Sequence, residues 1–341
     1  MTKDLAISKI IARNYYYKII ISKKLARGNN LQVHFWGVRG SLPTPLTPQQ
    51  VQSKIMAVVQ RITEEDIKSP DSRAKFVASL PSWICGTTGG NTACVEIKSE
   101  GNEFVFDAGS GLRVMGKSGN LPQDKHYNLF LSHFHWDHIQ GLPYFEPAYD
   151  PKAKFDIFSP FDNTKQYLSD QMKVPYSPVT LESFTKNIVF HKMIPGEPIN
   201  IGKNQITTCK MSHPGDSYSY AVCEGNKKFV YATDIELRAK DFKKTPESEA
   251  VFKDADCIVI DSQYTVDEAY RKKNWGHSAF CYAVDFAINW NIKKIFLFHH
   301  EPAYDDKKIN SILNAARWYA QYIHHSDISI SIAKEDLEIT L

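Results

Sequence analysis

The 341-residue sequence has no apolar segment of the roughly 18–20 residues that a membrane-spanning helix needs. The stretch YYYKIIIS at 15–22 is short, is interrupted by Lys18, and is not followed by a small-residue cleavage site. We therefore expect neither a membrane anchor nor a signal peptide.

The sequence also lacks a cysteine framework, because its six cysteines form no CxxC pair and no regular spacing. A chain of this length can bury enough core to fold without disulfides, so reduced thiols are expected. Low-complexity tracts are absent, and 43% of the residues are hydrophobic against 23% charged. These features exclude disordered and fibrous proteins and predict a cytoplasmic globular protein.

Net charge is small as well, at +3 for the whole chain. Residues 1–30 carry a net charge of +6, so the remaining residues carry −3. With a net negative charge, the part of the chain after residue 30 lacks the bulk positive charge that a protein needs to hold a long nucleic acid. The charge favours a small anionic substrate, and a long nucleic acid is not expected as a partner.

The chain divides into a basic N-terminal extension, residues 1–30, and one domain, residues 31–341. From Pro48 to about Glu65 the apolar residues have helical spacing: Val51, Ile55, Val58, Val59 and Ile62. This pattern predicts a helical insertion at about 48–85 between two strands. The insertion either covers the functional site or forms the contact surface of a homodimer.

Apolar segments typical of strands follow, and helical spacing returns at 278–290 and from about Lys307 to Ile323. The predicted strands are 31–38, before the insertion, and, after it, 92–99, 103–109, 127–133, 154–160, 187–193, 205–213, 219–225, 228–234, 257–264 and 293–300. The order of strands and helices predicts the α/β (α+β) class, with two mixed sheets back to back and helices outside.

The stretch LSHFHWDHIQG, residues 131–141, places four metal-ligand side chains within six positions: His133, His135, Asp137 and His138. His133 follows an apolar strand, and in an extended chain His133 and His135 point the same way. A turn into a helix would bring Asp137 and His138 back towards them. Any single histidine is more often a solvated or packed residue, but four such groups together indicate a metal site.

Three further residues of this kind follow strand-like runs, namely His213, Asp234 and His299. Singly, His213 could be a turn residue before Pro214-Gly215, and Asp234 could cap a helix. Together they predict that several strand ends converge on one site. His300 follows directly, so the last ligand could be either histidine of that pair.

HFHWDH resembles the HxHxDH signature of the metallo-β-lactamase fold, and the likeness extends over roughly residues 31–305. The resemblance implies a four-layer αβ/βα sandwich with a two-metal centre. It assigns His133, His135 and His213 to one ion, and it assigns Asp137, His138 and His299 to the other with Asp234 bridging. Asp107 resembles the aspartate that supports the metal loop from behind.

CIVIDSQYT and the following GHSAF resemble the acidic residue and the HST-type block of ribonuclease Z and of the phosphoribosyl cyclic phosphodiesterases. Asp261 falls on the acidic position, where ribonuclease Z typically has Glu, and His277 falls on the histidine beside the scissile phosphate. The sequence has no long Gly/Pro-rich basic arm of the kind that ribonuclease Z uses to hold tRNA.

These features predict a dinuclear-metal phosphodiesterase for a small phosphodiester such as a cyclic nucleotide or cyclic phosphate. A metal-bridging hydroxide is the expected nucleophile, with Asp137 accepting its proton and His277, oriented by Asp261, assisting at the phosphate. Zinc is the expected metal, and manganese and iron are also compatible. The alternatives are a tRNA 3′ endonuclease, a thioester or lactam hydrolase, and, least favoured, a non-catalytic scaffold.

Overall fold

A computed structural model describes residues 31–341, which form two mixed β-sheets of seven strands each. The predicted basic extension, residues 1–30, lies outside the described residues. The first sheet contains β1 (Gln32–Gly37), β2 (Cys94–Ser99), β3 (Asn102–Phe106), β4 (His126–Phe130), β5 (Lys154–Ser159), β6 (Ile188–Lys192) and β14 (Glu338–Thr340). The second contains β7 (Ile199–Ile201), β8 (Asn204–Met211), β9 (Ser217–Glu224), β10 (Lys227–Ala232), β11 (Cys257–Asp261), β12 (Lys294–Phe298) and β13 (Ser329–Ile332).

Each sheet is antiparallel at one end and parallel at the other. The strand orders are β14-β1-β2-β3-β4-β5-β6 and β13-β12-β11-β10-β9-β8-β7. Strands β3 to β6 run parallel in the first sheet, and β10 to β13 run parallel in the second. Because the carboxyl ends of neighbouring parallel strands lie at the same edge, residues that follow β4, β10 and β12 can meet there.

Residues 31–341 contain eleven α-helices. They are α1 (Pro48–Val59), α2 (Glu64–Ile67), α3 (Pro70–Ser79), α4 (Ser82–Cys85), α5 (Ser110–Gly116), α6 (Trp136–Ile139), α7 (Thr164–Gln171), α8 (Pro246–Phe252), α9 (Val266–Arg271), α10 (Phe280–Asn289) and α11 (Asp306–Ile323). Apolar side chains of α8, α10 and α11 pack on the second sheet, and those of α5 and α7 pack on the first. The predicted fold class, two mixed sheets flanked by helices, is confirmed.

The core between the sheets is aromatic. Phe106 lies against Tyr231 across the interface, with ring centroids 5.5 Å apart, and Phe130 lies 5.6 Å from Tyr220. Alternate residues of each strand point into this layer, which is why the strands could be recognised from their apolar alternation.

Residues 48–85 form four helices, and the first is shorter than the sequence predicted. It ends at Val59 because Thr63 caps the next helix, with its backbone N–H and hydroxyl bound to Asp66. The apolar stripe is largely exposed: Val51, Ile55, Val59 and Ile62 are 42%, 57%, 57% and 38% accessible. The homodimer to which such a stripe could contribute remains a prediction.

Within residues 31–341, none of the helices combines the length and the apolar character needed to cross a membrane.

Candidate metal centre

The metal loop, residues 131–141, turns sharply where β4 leaves the first sheet. His133 and His135 lie in the non-helical part, and α6 begins directly after His135. That single turn of helix brings Asp137 and His138 back towards the sheet edge, where both are buried. His135 is the exposed member of the four, so the cluster opens to solvent on its side.

The second sheet supplies the other three side chains. His213, Asp234 and His299 follow β8, β10 and β12 within one or two residues. Their ligand-type atoms form two groups with the metal loop, and within each group these atoms lie within 4.8 Å of one another. The groups are His133, His135, His213 and Asp234, and Asp137, His138, Asp234 and His299.

Asp234 belongs to both groups, and its two oxygens face different ways. Oδ1 lies 3.0 Å from Nε2 of His138 and 3.1 Å from Nε2 of His299. Oδ2 lies 3.5 Å from Nε2 of His133 and 3.9 Å from Nε2 of His213. A carboxylate in this position can place one oxygen on each of two cations.

Three of the histidine rings are oriented from outside by acceptors. Nδ1 of His138 binds Asp107 at 2.7 Å, Nδ1 of His213 binds the Gly276 carbonyl at 2.9 Å, and Nδ1 of His299 binds Gln263 Oε1 at 3.0 Å. In the neutral imidazole this places the proton on Nδ1 and leaves a lone pair on Nε2, which faces the cluster. Such outer hydrogen bonds are typical of metal-binding histidines.

The histidine nitrogens inside the cluster suit divalent cations better than they suit one another as hydrogen-bond partners. Nε2 of His138 and Nε2 of His299 are only 3.3 Å apart, and Nε2 of His133 is buried with no hydrogen-bond partner within the described part of the chain. Lone pairs that converge in this way repel unless a cation lies between them. Imidazole nitrogens and carboxylate oxygens suit zinc, manganese and iron.

The electrostatics agree with this assignment. Burial lowers the pKa of His213 to about 4 and holds the pKa of His133 well below its usual range, so both rings are neutral at pH 7 and able to bind metal. Although burial lowers it, Asp234, Asp137 and Asp107 raise the pKa of His138 well above its usual range. The cluster thus holds carboxylate charge that divalent cations would compensate.

The two adjacent histidines of the last strand end have different surroundings. His299 points into the cluster, with Nε2 3.1 Å from Oδ2 of Asp137. His300 is buried outside it, and its Nε2 lies 3.0 Å from the backbone carbonyl of Ala333. The geometry therefore favours His299 as the ligand candidate.

Asp107 lies fully buried behind the metal loop. Its oxygens accept hydrogen bonds from the Ser132 N–H, the Ser132 hydroxyl, the Tyr231 hydroxyl and His138, all between 2.6 and 2.8 Å. This side chain connects both sheets to the loop, in the supporting position that the resemblance implied.

Asp261 and His277 lie together at the rim of the cluster. Nδ1 of His277 is 2.7 Å from Oδ2 of Asp261, and the His277 ring stacks on His299 with centroids 4.8 Å apart. The backbone N–H groups of Gln263 and Ser278 bind the other Asp261 oxygen. Although burial lowers it, Asp261 raises the pKa of His277 to about 9, which favours the imidazolium form.

Sequence reasoning missed the residues that hold this arrangement. The Ser41 N–H donates to Oδ2 of Asp137 at 2.7 Å, and Gln263 donates to Glu301 while accepting from His299. A Cβ on Gly40 would stand 2.4 Å from Nδ1 of His299, so glycine is required there. RGS at 39–41 showed a turn, but no local pattern indicates which distant side chains it touches.

Four residues at the centre hold left-handed backbone: Ser41, Asp107, Asp234 and His299, with φ between 50° and 61°. Such conformations are rare for residues other than glycine and are concentrated at functional sites, where surrounding contacts maintain them. The backbone therefore turns abruptly at these residues, and the turns direct the side chains towards the cluster.

Comparisons with known proteins agree with this architecture. A protein-family profile described as a beta-lactamase superfamily domain matches residues 102–300. A ribonuclease Z from Oceanobacillus iheyensis is 23% identical over 292 residues, covering 70% of this chain and 92% of the relative.

Two solved structures share the fold. A metallo-beta-lactamase fold protein, YhfI from Bacillus subtilis, has a TM-score of 0.62 at 14% identity, covering 92% of this chain and 100% of the other. A diphosphatase from the PhnP family has a TM-score of 0.58 at 14% identity, covering 92% and 97%. At this level of identity the likeness demonstrates a common fold.

Proposed function

This chain belongs to the beta-lactamase superfamily and is a hydrolase of the metallo-β-lactamase fold, and from that premise we propose that it is a dinuclear-metal phosphodiesterase. The substrate is a small phosphodiester such as a cyclic nucleotide or a cyclic phosphate. Zinc is the expected metal. His133, His135 and His213 would hold one ion, Asp137, His138 and His299 would hold the other, and Asp234 could contribute to both, since it belongs to both groups of ligand-type atoms.

The observation that carries the phosphodiester assignment is the His277–Asp261 pair beside the cluster. Hydrolysis of a thioester or a lactam requires the metals but not a second, cationic side chain at the rim. A phosphodiester carries a negative charge into the reaction and gains charge on its leaving oxygen, which an imidazolium can stabilise. The 2.7 Å bond to Asp261 and the stacking on His299 hold the ring in place for this role.

When bound, two divalent cations lower the pKa of water and neutralise charge on phosphoryl oxygens. Asp137 is suited to take the proton that this water loses. Although burial raises it, contacts with His138 and His299 hold the pKa of Asp137 well below its usual range, so the carboxylate is ionised. His277 then assists the opposite end of the reaction by giving a proton to the leaving oxygen.

Two features favour a small substrate: the net charge of residues 31–341, and the segment between β5 and β6, which contains no long Gly/Pro-rich basic arm of the kind that ribonuclease Z uses to hold tRNA. Residues 31–341 have a net charge of −3, which disfavours a long polyanion. Between β5 and β6 the chain forms α7 and a short 3-10 turn, Leu181–Ser183. The relative named ribonuclease Z makes a tRNA 3′ endonuclease the second candidate.

A substrate panel on protein reconstituted with zinc or manganese tests the proposal. Bis-p-nitrophenyl phosphate, nucleoside cyclic phosphates, a tRNA precursor, a thioester and a β-lactam should be assayed side by side. We expect hydrolysis of the small phosphodiesters. Turnover of the thioester or the lactam, with none of any phosphodiester, would overturn the assignment.

Replacement of His277 tests its role separately from metal binding. His277→Gln should lower kcat about 10²- to 10⁴-fold while two ions per chain are retained, because the side chain acts on the phosphate. His324→Gln is the matched control, since His324 forms a similar 2.6 Å pair with Asp285 away from the centre. Unchanged kcat in His277→Gln would contradict the proposed role.

A further inference from the structure

A large cavity lies beside the metal loop and plays no part in the reaction described above. Its volume is about 940 Å³, and it is lined by the metal loop, by Tyr144, by α7 and by residues 173–178. Cavities of this size accommodate whole small-molecule ligands. Phe134 and Trp136 both line it and flank His135 in the chain, so the cavity and the metal cluster share one loop.

Aromatic rings at the cavity are exposed to an unusual degree. Trp136, Tyr144 and Tyr176 are 80%, 64% and 79% accessible. The cavity wall behind these rings is well packed, because Phe134 packs edge to face on Tyr167 with ring centroids 5.0 Å apart. Exposed aromatic surface concentrated at one concave site indicates a binding surface for a flat apolar group.

The polar groups at the cavity favour a neutral ligand. Lys173 and Asp170 pair with each other at 2.7 Å, so neither leaves a net charge for an anion. Gln171 also lines the cavity, and a side-chain amide can both donate and accept hydrogen bonds. A purine or pyrimidine base offers flat faces for the rings and both donors and acceptors for such an amide.

We propose that this cavity binds the base of a nucleotide whose phosphodiester reacts at the metal centre. This inference rests on the proposed function, because it places the two ends of one substrate on the two sides of the metal loop. The exposed edge of the cluster is at His135, between Phe134 and Trp136. The aromatic rings therefore determine selectivity for a nucleotide over a base-free phosphodiester.

The test compares a nucleoside 2′,3′-cyclic phosphate with the base-free ribose cyclic phosphate on the metal-reconstituted full chain. The KM of the wild type should be about tenfold lower for the nucleotide, as expected for stacking of one base. Tyr176→Ala should raise the nucleotide KM severalfold, up to about tenfold, with kcat and the base-free KM unchanged. Equal KM values for both substrates in the wild type would overturn the inference.

Two further measurements keep this result distinct from a failure of the proposed function. Trp136→Ala would alter the metal loop itself, because Trp136 lies between His135 and Asp137. Tyr176→Ala tests the cavity without this effect, and Tyr322→Ala on α11, at an exposed position, is the tyrosine control. If no phosphodiester is hydrolysed, equilibrium dialysis with adenosine monophosphate tests directly whether the cavity binds a nucleotide. Binding that weakens about tenfold in Tyr176→Ala supports the cavity, and absence of wild-type binding contradicts it.

Discussion

At the scale of single residues, His299 and His300, which follow β12, offer a matched pair of substitutions. Replacing His299 removes a ring whose Nε2 faces Asp137 and Asp234, whereas replacing His300 removes a buried ring that binds the Ala333 carbonyl outside the cluster. His299→Ala should therefore retain about one ion per chain and lose hydrolysis, since one group keeps its ligands. His300→Ala should retain two.

Metal content after dialysis, measured by mass spectrometry on folded protein, separates these outcomes. Thermal unfolding should be recorded alongside, because His300 is buried and its loss costs stability. Loss of an ion in His300→Ala, with full occupancy in His299→Ala, would reverse the assignment.

Gly40 supports a second prediction at this scale. An alanine Cβ there would stand 2.4 Å from Nδ1 of His299, a distance that forces the ring or the loop to move. Gly40→Ala should weaken metal binding about tenfold or more, the usual order for disturbing the groups that orient a ligand. Gly86→Ala, whose Cβ would be 3.3 Å from the Ser82 carbonyl, is the control and should bind metal normally. Titration with zinc against a competing chelator measures the difference.

At the scale of elements, one lysine ties the helical insertion to the body. Nζ of Lys54 on α1 binds Oδ2 of Asp306 at 2.6 Å and the carbonyls of Trp83 and Gly86 at 2.7 and 2.6 Å. Asp306 is 2% exposed and begins α11, and its other oxygen accepts from the Thr88 N–H. The body also contacts the insertion through Lys334, whose Nζ binds the Ser82 hydroxyl at 2.9 Å, and through Lys307, which lies over the Trp83 ring. Among these contacts, Lys54 supplies the ion pair with the buried Asp306.

Lys54→Met should free the insertion and destabilise the chain, because Asp306 would remain buried without its cation. Removing one partner of a buried pair costs about 3–5 kcal/mol. Hydrogen exchange should become faster throughout residues 48–85. Lys75→Met, at an exposed position on α3, should leave exchange unchanged. Unaltered exchange in Lys54→Met would show that the other contacts between insertion and body are sufficient to hold the insertion.

At the scale of the whole molecule, stability should depend on pH through a buried carboxyl far from the metal centre. Glu103 is 6% exposed on β3, opposite Lys98 of β2 and near Glu96. Burial and the Glu96 charge raise the pKa of Glu103 to about 9. The folded state therefore binds a proton that the unfolded state releases above its ordinary pKa near 4.5.

A raised folded-state pKa means that the stabilising proton is present below pH 4.5 and is lost as pH rises through about 9. The free energy of unfolding should fall across this range, by at most about 1.4 kcal/mol per pH unit. Glu103→Gln should flatten the profile, and Glu100→Gln, exposed on the same hairpin, should not. Urea unfolding at pH 6 and pH 9 measures both. Parallel profiles for wild type and Glu103→Gln would contradict the prediction.

Much of the fold and about half of the candidate metal centre could be predicted, because the sequence patterns that indicate them each lie within a short stretch of the chain. Apolar alternation marks strands, and four ligand-type residues between His133 and His138 mark a metal loop without reference to the rest of the chain. The helical stripe of α1 was also recognised, but its exposure was not, since spacing shows a face and not what covers it.

By itself, the sequence determined the fold class, the metal loop, and the residue types at the later strand ends. The resemblance also predicted that His213, Asp234 and His299 meet this loop. Only the tertiary structure decided that His299 rather than His300 faces inward, and that Gly40, Ser41 and Gln263 hold the arrangement. The physical reason is that these contacts join residues at least 36 positions apart through the packing of two sheets. No local pattern encodes which strand ends will share an edge, nor which way a left-handed residue turns its side chain.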